Sequence, residues 1–354
     1  MYQSISDLPV QITELIKCGC VIPAHPLALD ENRHLDIRRQ KALSRYYLDA
    51  GVGGLAVGVH TTQFAIREHG IYENVLRLAA ETAANWTDRS VLLIAGVAGK
   101  TKQAIDEAVT ARSLGYHAAL LNVAAFNNAS ESEIIKHCKA VAKEIPLIGF
   151  YLLPEVGGRH LSYDFWREFC DIDNVIAIKV AAFNRYGTLN VVRAVVDAGK
   201  EDDITLYTGN DDAIVHDLLV PFLVRRGEDT VKVRFKGGLL GHWSVWTRRA
   251  VEQLDCIHHQ SYQSMIPTDL LSLDAMVTDC NAAIYDAKHS FAGCIPGCLK
   301  VLERQGLLAT SVCLDPNEVL SAGQAEEIER VYQAYPEMND DQFVKDNLAR
   351  WLAE

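Results

Sequence analysis

Lys179 closes the apolar run Val175-Ile-Ala-Ile-Lys-Val180. In a strand, side chains alternate between faces, so Lys179 shares a face with Val175 and Ala177 and opposes Ile176 and Ile178. An ammonium on an enclosed face loses hydration, and its pKa falls from a free value of about 10.4. The neutral amine is the form that adds to the carbonyl of a 2-oxo acid, giving a carbinolamine and then an imine. A strand-end lysine can equally carry its charge to solvent along its extended stem. Tyr151 ends Ile148-Gly-Phe-Tyr151, just before Leu152-Leu-Pro154. A phenol there suits proton transfer to an alkoxide next to Lys179, or simple core packing. Val59-His-Thr-Thr-Gln-Phe64 places Thr61 and Thr62 after another apolar run. Hydroxyls and turning backbone N–H groups suit a carboxylate, although ordinary turns use the same residues. Tyr207-Thr-Gly-Asn-Asp-Asp212 offers Asp211 and Asp212, either for substrate hydroxyls or for capping the next helix. Lys236-Gly-Gly-Leu-Leu-Gly-His242 reads as a glycine-rich loop in which Gly238 lets backbone approach a ligand.

These residues are far apart in the chain, so the scaffold must gather several strand ends. Eight strands are predicted, at Cys20–Ala24, Gly54–Val59, Val91–Ala95, Ala118–Asn122, Leu147–Tyr151, Val175–Lys179, Ile204–Thr208 and Val231–Lys236. Helical patterns lie between them, at Ile37–Ala50, Glu73–Ala84, Thr101–Leu114, Ser132–Lys143, Tyr163–Cys170, Gly187–Ala198 and Ala213–Val224. Alternating β-α units imply parallel strands. Eight units, with no GxGxxG after the first strand, favour a closed α/β architecture, the (β/α)8 TIM barrel, over an open doubly wound sheet. Beyond the eighth strand only helical patterns remain, near Ser244–Leu254, Leu270–Ser290, Pro296–Gln305, Ala322–Tyr332 and Asp340–Leu352. The prediction is a barrel over residues 1–245 with a C-terminal helical extension over 246–354. In a barrel, the C-terminal strand ends form the active site.

With 354 residues the chain is long enough for such a barrel and its appendage. Its 34 basic against 46 acidic residues give a net charge of -12, which argues against nucleic acid or an anionic membrane as partner. The segment MYQSISDLPVQITELIK has neither the basic nor the apolar region of a signal peptide, and no run is long enough to span a bilayer. Nine cysteines without a CxxC pair fit reduced thiols in a cytoplasm better than disulfides or a zinc site.

Taken in order, the motifs resemble the dihydrodipicolinate synthase and N-acetylneuraminate lyase family of class I Schiff-base aldolases. The resemblance runs from Pro23-Ala-His-Pro26 to about Leu320. The family's Gly-Thr-Thr-Gly-Glu loop is similar to His60-Thr-Thr-Gln-Phe64, its Tyr-Asn-x-Pro to Tyr151-Leu-Leu-Pro154, and its Ile-Lys to Ile178-Lys179. Its Gly-x-Asp is matched by Gly209-Asn-Asp211, and its late helix by Gly293-Cys-Ile-Pro-Gly-Cys-Leu-Lys300, in which Lys300 reads as structural. The resemblance implies a pyruvate-type 2-oxo acid held as an imine on Lys179, with Tyr151 as acid/base and Thr61 as relay hydroxyl. The backbone of Thr62 and Gln63 would hold the carboxylate. It also implies an aldehyde partner, a homo-oligomer (tetramer or dimer), and no metal or organic cofactor. Several positions depart from the family. Gln63 and Phe64 replace Gly and Glu, Leu152 replaces Asn, Ala124-Ala-Phe126 lacks the relay tyrosine, and Val156 stands where the synthase has its Arg, with Arg159 three residues on. The departures point away from lysine biosynthesis, toward another aldehyde or a dehydration, with His60, Asn184, Arg185, Asp211 and His242 as specificity contacts.

Two other readings compete. His25, His60, Asp211 and His242 could serve a metal-dependent hydrolase or class II aldolase, although no HxH or HExxH spacing supports it. Alternatively, the altered Thr-Thr loop could leave a barrel that binds a 2-oxo acid without turnover.

Overall fold

The computed structural model describes residues 3–353 and forms ten strands among them. They are β1 (Val21–Pro23), β2 (Gly54–Val57), β3 (Leu92–Val97), β4 (Ala118–Leu121), β5 (Leu147–Leu152), β6 (Val175–Ala181), β7 (Thr205–Thr208), β8 (Phe222–Arg226), β9 (Asp229–Val233) and β10 (Phe235–Leu240). The first seven predicted strands are present, with ends shifted by a residue or two. The eighth needs correction. The segment predicted as its start, Val231 onward, pairs backward with Phe222–Arg226 in an antiparallel hairpin, turned by Gly227 at φ +64°. The parallel strand is the next segment, and it contains the glycines read above as a loop. The helix predicted over Ala213–Val224 accordingly stops at Leu219.

The residues fall into two compact units. The first takes in the chain up to Cys20 and Leu92–Leu239. Its six parallel strands run in the order β3-β4-β5-β6-β7-β10. Every residue of β3 to β7 is buried, as expected for parallel strands covered by crossover helices. Local signals start those helices. Ser130 and Glu133 form a capping box before Glu131–Val141, and Ser162 accepts the Phe165 N–H before Tyr163–Phe169. Asn184 accepts the N–H groups of Tyr186 and Gly187 before Arg185–Asp197.

The second unit comprises Val21–Val91 and the described residues from Leu240 onward. Here β1 and β2 lie side by side, extended by a parallel bridge between Ala24 and Ala56. The C-terminal helices, Thr247–Gln260, Thr268–Ile284, Cys294–Arg304, Gln324–Ala334 and Asp341–Trp351, belong to this unit, so it crosses the predicted joint at 245. Buried Asp340 ties them to helix Ile37–Ala50, accepting from Tyr46 Oη (2.7 Å), the Arg248 N–H (3.0 Å) and, through its other oxygen, Gln305 Nε2 (2.8 Å). Among the described residues no helix is long and apolar enough to cross a membrane.

Gly149 sets the facing of β5. A Cβ there would lie 2.7 Å from the Phe169 ring and 3.2 Å from Trp166, so Gly149 faces helix Tyr163–Phe169 at van der Waals limits. Gly149→Ala is expected to destabilise the protein by about 1–3 kcal/mol through overpacking, read as a lowered denaturant midpoint. An unchanged midpoint would show that the two rings can shift freely.

Candidate active site

Lys179 lies within β6 and is in register with Phe150 on β5 and Tyr207 on β7. Register partners in a parallel sheet share a face, so all three stand opposite the helix layer. Its Nζ sits over the Phe150 ring, 4.4 Å from the centroid. The side chain is 9% exposed, and burial pulls its pKa down to about 8, against the upward pull of the Asp211 carboxylate. The opposite wall is glycine by necessity: a Cβ on Gly209 would lie 2.6 Å from Lys179 Cε and 3.0 Å from Ala181 Cβ.

A buried polar cluster holds the turn after β7. Asp217 is fully buried and accepts from Thr208 Oγ1 (2.7 Å) and Asn210 Nδ2 (2.8 Å), and it pairs with Arg185. Asn210 also donates to Thr188 Oγ1 (3.1 Å) and accepts the Phe183 N–H (3.0 Å). Asp211 follows, 6% exposed, whereas Asp212 is exposed. Sequence reasoning missed Asp217 and Asn210, because part of their partner set, Arg185, Thr188 and Phe183, lies on the neighbouring β-α unit. Asn184 and Arg185, expected as specificity contacts, serve as the helix cap and as the Asp217 partner instead.

Tyr151 does not adjoin Lys179. Its partner on β6 is Val180, and alternation turns its ring to the helix side, 5.5 Å from Trp166. A Cβ on Gly187 would lie 3.1 Å from its hydroxyl, and burial raises the phenol pKa. The neighbour of Lys179 on β5 is Phe150. After β4, Phe126 packs on His137 at 4.4 Å, under Lys100 at 4.3 Å. Arg159 donates through Nη1 to the carbonyls of Phe126, Asn127 and Ala129. With Phe150, Leu152, Leu161, Asn122 and Ala124, Arg159 lines a small, mainly apolar recess. Gly238 is a strand residue, paired with Thr208, and its N–H donates to the Cys20 carbonyl (3.3 Å).

In the second unit, the loop after β2 is a short 3-10 turn, His60–Thr62. Thr62 is a clamp: its Oγ1 accepts the N–H groups of Gly58 (3.0 Å) and Val59 (3.2 Å) and donates to the His25 carbonyl (2.7 Å). Gln63 adopts φ +67°, its Oε1 accepts the Leu314 N–H (2.6 Å), and its buried Nε2 has no hydrogen-bond partner among the described residues. Thr61 is buried beside Gly241, where a Cβ would lie 3.1 Å from Thr61 Oγ1 and 1.6 Å from Tyr285 Oη. The two hydroxyls are therefore neighbours over that glycine. Tyr285, on a predicted helix of the extension, gave no local signal of this. The His60 ring packs at a tilt of 49° against Phe64, with centroids 5.8 Å apart. His25 is held through Nδ1 by the Pro26 carbonyl and through Nε2 by Ser44 Oγ (both 2.8 Å), and burial depresses its pKa to about 4. Burial depresses His242 likewise. Both histidines are thus buried as neutral imidazoles, and His25 has no ring nitrogen left for a metal. Lys300, read as structural, pairs with Glu303 (2.6 Å) on its own helix.

Because Lys179 gains reactivity as it loses its proton, its acylation by dilute acetic anhydride should rise with a midpoint near pH 8. Mass spectrometry of peptides labelled across a pH series measures this. A midpoint near the free lysine value of about 10.4 would refute the buried-amine description.

The model of the Dihydrodipicolinate synthetase family matches residues 17–222 of this chain. N-acetylneuraminate lyase 2 of Escherichia coli is 24% identical over 300 residues, which is 84% of this chain and 87% of that protein. Two solved structures superpose along nearly their whole length. Dihydrodipicolinate synthase from Aquifex aeolicus matches with a TM-score of 0.73 at 18% identity, covering 91% of this chain and 99% of that one. N-acetylneuraminate lyase from Fusobacterium nucleatum gives 0.70 at 18% identity, covering 90% and 99%. At these identities the structures show the fold, a (β/α)8 barrel with a C-terminal helical extension.

Proposed function

The chain belongs to the dihydrodipicolinate synthetase family and is a lyase of the class I aldolase type; on that premise we propose that Lys179 binds a pyruvate-type 2-oxo acid as an imine. The observation that carries this is the placement of Lys179: an amine within a buried strand, over an aromatic ring, with its pKa drawn down to about 8. Near neutral pH a useful fraction is neutral and adds to the C2 carbonyl; loss of water gives the protonated imine. That cation draws electrons from C3, so a C3 proton or a C3–C4 bond can be released to give the enamine, the common intermediate of cleavage, condensation and dehydration.

Thr61 is proposed as the relay hydroxyl and His60, Gly238 and Asp211 as substrate contacts. The Thr62 and Gln63 N–H groups, which the resemblance assigns to the carboxylate, instead donate to the Val59 (3.0 Å) and His60 (2.8 Å) carbonyls of the turn. The clamp on Thr62 and the proximity of Thr61 to the Tyr285 phenol support a preorganised loop. The substrate is proposed to differ from that of the lysine-pathway synthase. Phe126 has no hydroxyl, and Nη1 of Arg159 is turned to three backbone carbonyls. Leu152 and Phe150 make the recess near Lys179 apolar. A cytoplasmic location is proposed from the nine free cysteines, which suit a reducing compartment, and a homo-oligomer, tetramer or dimer, from the family alone.

Incubation with pyruvate followed by borohydride reduction should leave a 2-oxo-acid adduct on Lys179, found by peptide mass spectrometry. Lys179→Ala should lose both the adduct and aldehyde turnover, the latter by roughly 10⁴-fold or more. Absence of the adduct in the unmodified protein would sink the imine chemistry. An adduct without turnover of any aldehyde tested would instead mark a binding protein.

A further inference from the structure

We propose that the acid/base of the imine site is the carboxyl group of Asp211, not a phenol. This rests on the imine reading of Lys179 and assigns its proton traffic. The turn after β7 passes against the Lys179 side chain. Gly209 is pressed against the Lys179 stem, its N–H bonded to the Val180 carbonyl (2.7 Å), and Asp211 follows two residues later in a turn fixed through Asn210. Asp211 is buried, and its negative charge opposes the loss of the Lys179 proton that burial favours.

The phenols of the same unit that lie near Lys179 in the sheet are committed elsewhere. Tyr151 faces the helix layer. Tyr207 shares the face of Lys179, but its hydroxyl donates to the Ile16 carbonyl (3.0 Å) and is buried there, with its pKa raised well above the ordinary tyrosine value. A carboxylate buried two residues beyond the contact of Gly209 with the Lys179 stem can do what a phenol would.

The proton steps balance without an added reagent. The Asp211 carboxylate takes one proton from the Lys179 ammonium, leaving a neutral amine and a carboxylic acid. The amine adds to C2 of the 2-oxo acid, and a proton passes from nitrogen to the former carbonyl oxygen. The Asp211 acid protonates that hydroxyl, the C–O bond breaks, water leaves and the protonated imine forms. The regenerated carboxylate then removes a proton from C3 to give the enamine.

Pyruvate is the discriminating probe because it has no hydroxyl for Asp211 merely to bind. The full-length protein is mixed with pyruvate in D2O, and loss of the methyl proton signal is followed by NMR alongside borohydride trapping. Asp211→Asn is expected to slow methyl exchange by about 10²–10⁴-fold. Exchange within twofold of the unmodified protein would overturn the assignment, leaving Asp211 as a substrate contact only. If the Asn variant does not fold, Asp211→Ala is assayed with and without formate. Restoration of exchange by formate is expected, and fast exchange without it overturns the proposal. If the unmodified protein forms no Lys179 adduct, the imine reading itself has failed, an outcome distinct from loss of exchange in the variants alone.

Discussion

Burying the ammonium of Lys179 costs hydration energy, and much of the first unit can be understood as meeting that cost. A charged amine has few ways to sit on an apolar face: it can lose its proton, lie over an aromatic ring, or keep a carboxylate near. All three are present, in the lowered pKa, the Phe150 ring and Asp211. The ring contributes about 0.5–2 kcal/mol to the charged form. A group poised between its two protonation states can serve both as nucleophile and as proton donor. That poise depends on position, and Lys179 is gripped on both sides by strands that are themselves buried along their whole length.

The grip extends to the turn after β7, where Asp217 is the hub. A fully buried carboxylate is tolerable only when its lone pairs are occupied, and Thr208, Asn210 and Arg185 occupy them. Because Arg185 starts the helix after β6 and Thr208 ends β7, the cluster locks two consecutive β-α units in register. Gly209 and Asp211 inherit their positions from it. The second unit solves a similar problem differently: Thr62 gathers three backbone groups around one hydroxyl, which fixes the loop that carries Thr61 and Gln63.

Much of the scaffold was legible in the sequence. Apolar β-branched runs such as Val175–Val180 form parallel strands whatever their neighbours, because burial on both faces requires an unbroken apolar run. Capping residues such as Ser130 and Asn184 mark helix starts through contacts only two or three residues long. The hairpin at 222–233 was missed because its two strands are short, half-exposed and highly charged, and resemble the end of a helix and the start of a strand.

What the sequence by itself determined is therefore the set of elements, their order, and which residues of a strand share a face. It also singled out Lys179, since an ionisable residue within such an apolar run is conspicuous. Only the tertiary structure decided which residues meet Lys179. Alternation fixes relative facing within one strand, but the register between strands decides whether Tyr151 or Phe150 stands beside the lysine, and one residue of register exchanges them. The turn that carries Asp211 reaches the lysine stem, and Tyr285 reaches Thr61, through backbone paths that no local spacing encodes. In both cases a glycine, Gly209 or Gly241, leaves the room a side chain would have filled.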